Sequence, residues 1–208
     1  MKKIKAIAFL TLLCVLTCSV LVSCKKEAEE QSDKGAEKMN IRAMGDDELC
    51  SYVTLGEYKG LSIELGTRTK DTAVWEEIAA RAKVAQLPEQ QVNYYFAQAR
   101  AQYEYYAQTA DMSYGEMLSE LGTNEERMLS DAQELALGDI LFELVRRAEG
   151  IELTDSEKLE YFERYAEKYV EDYGYNAEYV KENLEDMIYD SMLYDKVTEF
   201  LIASNDRH

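Results

Sequence analysis

The sequence predicts an all-α domain preceded by a short β segment, and three observations carry that expectation. The whole chain of 208 residues holds one proline, Pro88, and few glycines, so little interrupts helices after residue 71. Three Ser/Thr-x-x-Glu capping boxes, Ser113/Glu116, Thr123/Glu126 and Thr154/Glu157, mark helix starts. Apolar residues recur three and four apart, as in Leu137, Ile140, Leu141, Leu144, Val145 and Ala148.

In chain order, a basic head (Lys2, Lys3, Lys5) precedes an apolar run from Ala6 to Val22, then Ser23 and Cys24. Basic, apolar and small-residue zones in that order are the layout of a secretory signal. Leu21-Val22-Ser23-Cys24 resembles the lipobox of bacterial lipoproteins. The resemblance implies that residues 1–23 are removed and that Cys24 carries a lipid on its thiol. The chain is then expected outside the cytoplasm, lipid-anchored to the bacterial cell membrane by several acyl chains, since one alone binds only marginally. The alternative is a membrane-spanning anchor: the run of 17 residues is at the short edge for a span, with Lys25 and Lys26 as its flank.

Residues 24–51 are mostly Lys, Glu, Ala, Gln, Ser, Asp and Gly. Such a segment buries too little apolar surface to order itself and reads as a disordered tether. Its mean reach is roughly 25–30 Å. In residues 52–70, Val53 and Leu55, then Leu61, Ile63 and Leu65, alternate with polar residues and predict one or two short strands. A lone hairpin is marginal in water, so these strands need another element to lean on.

The remaining pattern predicts helices over 72–84, 88–109, 114–121, 124–149, 155–172 and 177–203. Pro88 suits a first turn, and Gly122 and Gly150 suit helix ends. Leu159, Phe162, Ala166, Tyr169, Val170 and Tyr173 form a second stripe, and Leu193, Val197, Phe200 and Leu201 a third. Residues 71–208 thus read as one helical domain of about 135 residues, an ordinary domain size.

Composition narrows the chemistry. Cys14 and Cys18 lie in the signal and Cys24 is set aside for lipid, so Cys50 has no internal disulfide partner. The only histidine is His208, which argues against a histidine triad or a zinc site. Acid pairs such as Asp46-Asp47 and Glu125-Glu126 have no metal-binding spacing. No catalytic residue, metal or cofactor is assigned. Without residues 1–23 the chain has 20 basic against 41 acidic residues, a balance of −21. That excludes nucleic-acid binding through phosphates and predicts repulsion from anionic lipid and wall polymers.

Four stretches carry a resemblance to a known family. Tyr52-Val-Thr-Leu-Gly-Glu-Tyr-Lys-Gly-Leu61 is similar to the segment that leads into the prolyl-isomerase domain of trigger factor and its lipoprotein relatives. Trp75-Glu-Glu-Ile-Ala-Ala-Arg-Ala-Lys-Val-Ala-Gln-Leu-Pro88 resembles the start of trigger factor's C-terminal chaperone domain. Leu144-Val-Arg-Arg-Ala-Glu-Gly-Ile-Glu-Leu-Thr-Asp155 resembles its junction between long helices. Tyr194-Asp-Lys-Val-Thr-Glu-Phe-Leu201 resembles its closing helix. The likeness covers residues 72–203 and Tyr52–Leu65.

Only Gly66–Asp71 separates Leu65 from the first predicted helix, so the sheet of an FK506-binding-type isomerase is missing, as is any ribosome-docking loop. The resemblance therefore implies the elongated, arm-bearing chaperone domain alone. Its partners would be unfolded or nascent exported polypeptides, with no ribosome and no isomerase reaction.

The chain holds 16 tyrosines and five phenylalanines. Residues 94–106 are aromatic on two helix faces: Val92, Tyr95, Phe96, Ala99, Tyr103 and Tyr106 on one, Tyr94, Ala97, Ala101 and Tyr105 on the other. One helix does not readily bury both against a single neighbour. Tyr94, Tyr95, Phe96, Tyr103, Tyr105, Tyr106, Met112, Tyr114 and Met117 are therefore the candidate client-binding residues. Tyrosine supplies contact area at low rotamer cost, and methionine re-packs easily. The competing reading is a helix–helix seam with hydroxyls at its rim. Tyr161 and Tyr165, opposite the Leu159 stripe, form a weaker candidate. Tyr94, Tyr105 and Met117 are expected to be partly exposed, and Leu141, Leu144 and Phe162 to be core.

These observations point to a membrane-anchored extracytoplasmic chaperone-like protein. A non-catalytic scaffold gripping one folded partner, or a degenerate accessory subunit of a foldase, are the alternatives. The lipobox reading has a direct check. Cys24→Ala should yield no lipid-modified product and leave the precursor unprocessed. Mass spectrometry of the wild-type protein finding Met1 intact and Cys24 unmodified would refute it.

Overall fold

The computed structural model describes residues 36–207. The signal-like segment and Cys24 lie outside the described residues. Within them the backbone runs through a 3-10 turn at Ile41–Ala43, α1 (Asp46–Tyr52), β1 (Val53–Thr54), β2 (Ser62–Ile63), α2 (Lys70–Arg81) and β3 (Lys83–Val84). It continues through α3 (Glu89–Thr109), α4 (Tyr114–Glu120), α5 (Glu125–Ala148), α6 (Asp155–Tyr173), α7 (Ala177–Asn183), α8 (Glu185–Ala203) and β4 (Asp206–Arg207). The fold is all-α with a minor β component, as the sequence predicts. None of the described helices is long and apolar enough to cross a membrane.

Two of the three capping boxes form as predicted. The Ser113 hydroxyl accepts from the Glu116 N–H, and the Thr154 hydroxyl from the Glu157 N–H, while each glutamate reaches back to the cap's own N–H. Lys196 Nζ also donates to Glu157 at 2.6 Å, and these bonds hold its carboxyl down at about 2. The third start differs: α5 begins one residue later than a Thr123 cap requires, and the Asn124 Oδ1 accepts from the Arg127 N–H at 2.8 Å. Asp46-Asp47 and Glu125-Glu126 occupy first turns, where the helix dipole favours acids.

The described residues form two compact units, one made of residues 36–56 with 78–141, the other of 57–77 with 142–207. The division falls within α2 and within α5. In the first unit, Val92, Ala132 and Ala136 form a narrow core with Leu87, Tyr95 and Phe96 packed on it. Strand β1 pairs antiparallel with β3, Val53 opposite Val84, and the Ala85 N–H extends the pairing to the Tyr52 carbonyl. Gly56 lets the chain pass under Arg81: a Cβ there would lie 2.3 Å from the Arg81 carbonyl oxygen. Helix α2 stops at Arg81 rather than 84 because Lys83 and Val84 are taken up by this ladder.

The tether expected over 24–51 does not extend through its described part. Residues 41–43 turn, 46–52 are helical, and Ile41 and Leu49 are buried. Sparse apolar residues suffice here because each is sealed by the packed unit rather than by its own neighbours in sequence. Cys50 is exposed with a free thiol.

In the second unit, β2 pairs with β4 in parallel, so the two predicted strands lean on β3 and β4 and not on each other. Buried Asn205 stitches this corner. Its Oδ1 accepts from the Leu61 N–H at 2.8 Å, and its Nδ2 donates to the carbonyls of Leu201 at 2.7 Å and Tyr58 at 3.1 Å. Trp75 donates its indole N–H to the Thr198 hydroxyl at 3.0 Å and stacks on Tyr194, which stacks in turn on Phe142. Glu143 is 1% exposed yet stays charged. Burial pushes its pKa up, but bonds from Arg146 (2.8 Å) and Arg147 (2.6 Å) outweigh burial and hold it below the usual carboxylate range.

A second core joins α6, α7 and α8 through Ala166, Val180, Leu184, Ile188 and Met192. The single helix expected over 177–203 breaks at Leu184, which leaves helical geometry with φ −117°. The i→i−4 bonds Leu184 to Val180 and Ile188 to Leu184 persist, and Leu184 is buried. The break is a local bend that keeps Leu184 in the core; no Gly or Pro announces it.

The stripes are also corrected in part. Ile140, Leu141, Leu144 and Val145 are core, but Ala148 is exposed. Leu159 is 83% exposed and Phe162 only half-buried, so the α6 seam runs through Phe162, Ala166 and Val170 without Leu159. Leu141→Ala should therefore destabilise by about 2–5 kcal/mol, whereas Leu159→Ala should change stability by no more than about 0.5 kcal/mol. Thermal melts of the two variants check this; equal losses would contradict the assignment.

Candidate functional site

The candidate residues lie on α3, the α3–α4 turn and α4, all within the first unit. Pro88 caps α3, and the helix then runs unbroken for 21 residues, long enough to present several turns of aromatic surface. Helices α3 and α4 pack together. Residues 94–99 are all half-buried, so neither face of this stretch is sealed. Tyr94 meets Tyr95 edge to face, with ring centroids 5.2 Å apart. The Tyr95 hydroxyl donates to Asp139 at 2.6 Å, and Phe96 packs on the Val92–Ala132–Ala136 core.

Farther along α3, Tyr103 is half-buried. Burial pushes its phenol up, and the charge of Asp131 adds to it. Tyr105 is 40% exposed, its ring 6.1 Å from that of half-buried Tyr106, whose hydroxyl accepts from Gln102 at 2.9 Å. Met112 and Tyr114 are half-buried. The Tyr114 ring carries the Arg100 guanidinium at 5.6 Å, and its hydroxyl reaches the Met128 sulfur at 3.6 Å.

Met117 departs from expectation. It is 8% exposed and forms core with Leu118. A seven-residue helix has one apolar side to bury, and in α4 that side is Met117 and Leu118. Leu121 and Leu129, both exposed, were not anticipated as surface groups. The signal was present for Leu129: it falls off the Met128–Ala132–Ala136 line that α5 buries.

In the second unit the tyrosines behave differently. Tyr161, Tyr165, Tyr169, Tyr175, Tyr179 and Tyr189 ring the small α6–α8 core. Tyr165 donates to Asp195 at 2.5 Å, and burial first, then that bond, pushes its phenol up to about 12. Tyr189 donates to Glu185 at 2.8 Å, and Tyr169 pairs with Ser191 at 3.1 Å. Tyr161 and Tyr165 thus pack inward, with the Arg164 guanidinium 4.8 Å from the Tyr161 ring and 5.6 Å from the Tyr165 ring. Both rings are half-buried against this core.

The first unit therefore offers broad, half-covered aromatic contact area. An all-α domain presenting such a surface is of the chaperone-like, polypeptide-binding class. Residues 65–203 match the family described as bacterial trigger factor protein C-terminus, and the chain belongs to that family. The match begins a few residues before the resemblance expected over 72–203. Comparison with curated proteins and with solved structures returned no match.

Proposed function

We propose that this protein is a membrane-anchored, extracytoplasmic holdase that binds unfolded or newly exported polypeptides and catalyses no isomerisation. The observation that supports it best is the unsealed stretch of α3: residues 94–99 are half-buried on every side, with Tyr105 more open still. Such a surface has apolar area left to bury and phenols that keep it soluble. An unfolded segment laid on it removes that apolar area from water, and a broad surface that binds through many small contacts tolerates many sequences. Membrane anchoring rests on the Leu21–Cys24 motif. The lack of isomerisation rests on the six residues between Leu65 and residue 72, too few for an isomerase sheet.

The scaffold reading draws on one observation, the Tyr95 hydroxyl locked to Asp139. A ring held in one pose suits one partner better than many.

The experiment is suppression of aggregation of an unfolded test protein by a Tyr94→Ala/Tyr105→Ala variant. The expected result is weaker suppression by a variant that stays folded, each substitution costing about 0.5–1.5 kcal/mol for its lost ring contact with Tyr95 or Tyr106. X-Pro isomerisation of a model peptide should keep its uncatalysed course of roughly tens to hundreds of seconds. Undiminished suppression by a folded double variant would contradict the assignment of the surface to α3.

A further inference from the structure

The N-terminal side of the first unit carries an arrangement that the proposed function does not use. Residues 37–39 lie against the first turn of α3 and are held there by their main chain. Gln90 Nε2 donates to the Glu37 carbonyl at 3.1 Å, and the Met39 N–H donates to Gln91 Oε1 at 3.0 Å. Just beyond, the backbone folds into the 41–43 turn, with Ile41 buried.

Gln91 is fully buried. Its Nε2 donates to Asp139 Oδ2 at 2.5 Å. A carboxylate accepts hydrogen bonds, so Asp139 must face the amide's NH2 group. That orientation turns Oε1 toward the Met39 N–H. The same Asp139 oxygen takes the Tyr95 hydroxyl. One carboxylate therefore ties the Gln91 amide to one of the candidate client residues.

Two consequences follow. Neither contact to residues 37–39 depends on a side chain of the held segment; both read backbone, which any extended polypeptide presents. And Gln91 Oε1 is costly to leave without a donor in a buried place. If the segment leaves, another donor, a client N–H or water, takes the place of Met39's N–H.

We propose that residues 37–44 are a releasable strap, a resident stand-in for client backbone, and that an unfolded chain displaces it by supplying its own N–H to Gln91 and carbonyl to Gln90. This rests on the polypeptide-binding reading above and names a site on the client helix itself. The strap then sets affinity. Binding is weakened by the fraction of molecules in which the strap is closed, as for any ligand whose competent state is a minority.

The test uses the full chain, with reduced, carboxymethylated lactalbumin as a permanently unfolded probe. In the wild-type protein alone, the Met39 amide should be protected from hydrogen exchange. Saturating probe should make residues 37–44 exchange faster. Met39→Pro with Gln90→Ala removes the donated N–H and the donating amide while leaving Gln91, Asp139 and Tyr95 in place. That variant should bind the probe about tenfold more tightly, as if the strap of the wild type were open in about one molecule in ten. Unchanged or increased protection of residues 37–44 on probe binding would overturn the strap while leaving the holdase reading intact. Equal or weaker binding by a folded variant would do the same. Should the variant melt well below wild type, the wild-type exchange measurement alone decides. No probe binding by either protein would overturn both readings together.

Discussion

A tyrosine ring seeks burial while its hydroxyl needs a partner, and in this chain the partner is repeatedly a carboxylate. Tyr58 donates to Glu149, Tyr95 to Asp139, Tyr165 to Asp195 and Tyr189 to Glu185, at 2.5–2.8 Å. Two of these bonds join helices, Tyr95 to Asp139 between α3 and α5 and Tyr165 to Asp195 between α6 and α8. The cores themselves are narrow, a few residues such as Val92, Ala132 and Ala136, or Ala166, Val180 and Ile188. Around each, phenols supply the remaining apolar contact and reach outward to acids. Both Tyr58 and Tyr165 are pushed up to about 12, burial being the larger cause and the carboxylate bond the next. These phenols stay neutral and remain donors. The same construction leaves aromatic surface half-covered, which is the property a polypeptide-binding face needs.

The two units use the construction differently. In the second, tyrosines surround the α6–α8 core, Trp75 stacks on Tyr194 and Tyr194 on Phe142, and buried Glu143 pairs with half-buried Arg146 and Arg147. In the first, α3 carries aromatics on both faces and has core for only part of one. The surplus stays at the surface. Leu121, Leu129 and Tyr105 add to it, while Met117 is withdrawn into the α4 seam.

Helix positions after residue 71 were legible because periodicity and capping chemistry are local. Ser113 and Thr154 cap as their spacing predicts, and Gly122 and Gly150 take the positive φ that ends a helix. What was not legible depends on distant partners. Helix α1 and the turn at Ile41 form because Leu49 and Ile41 are sealed by the packed unit, which a sparse local pattern does not reveal. The bend at Leu184 comes from its place in the α6–α8 core. Leu159 reads as a stripe residue yet faces solvent, while Phe162, Ala166 and Val170 of the same stripe pack on the core. Of the candidate surface, the α3 aromatics were legible as a surplus over what one helix buries. Met117 was not, since its burial depends on how α4 docks, and neither was the Gln91–Asp139 link, which joins residues 48 positions apart.

The most direct measurement is a chemical footprint of the tyrosine rings, read by mass spectrometry with and without an unfolded client. The account predicts that client protects Tyr94, Tyr105 and Tyr106 while the labelling of Tyr161, Tyr165 and Tyr189 stays unchanged. Protection confined to the second-unit tyrosines, with α3 labelled as before, would contradict it.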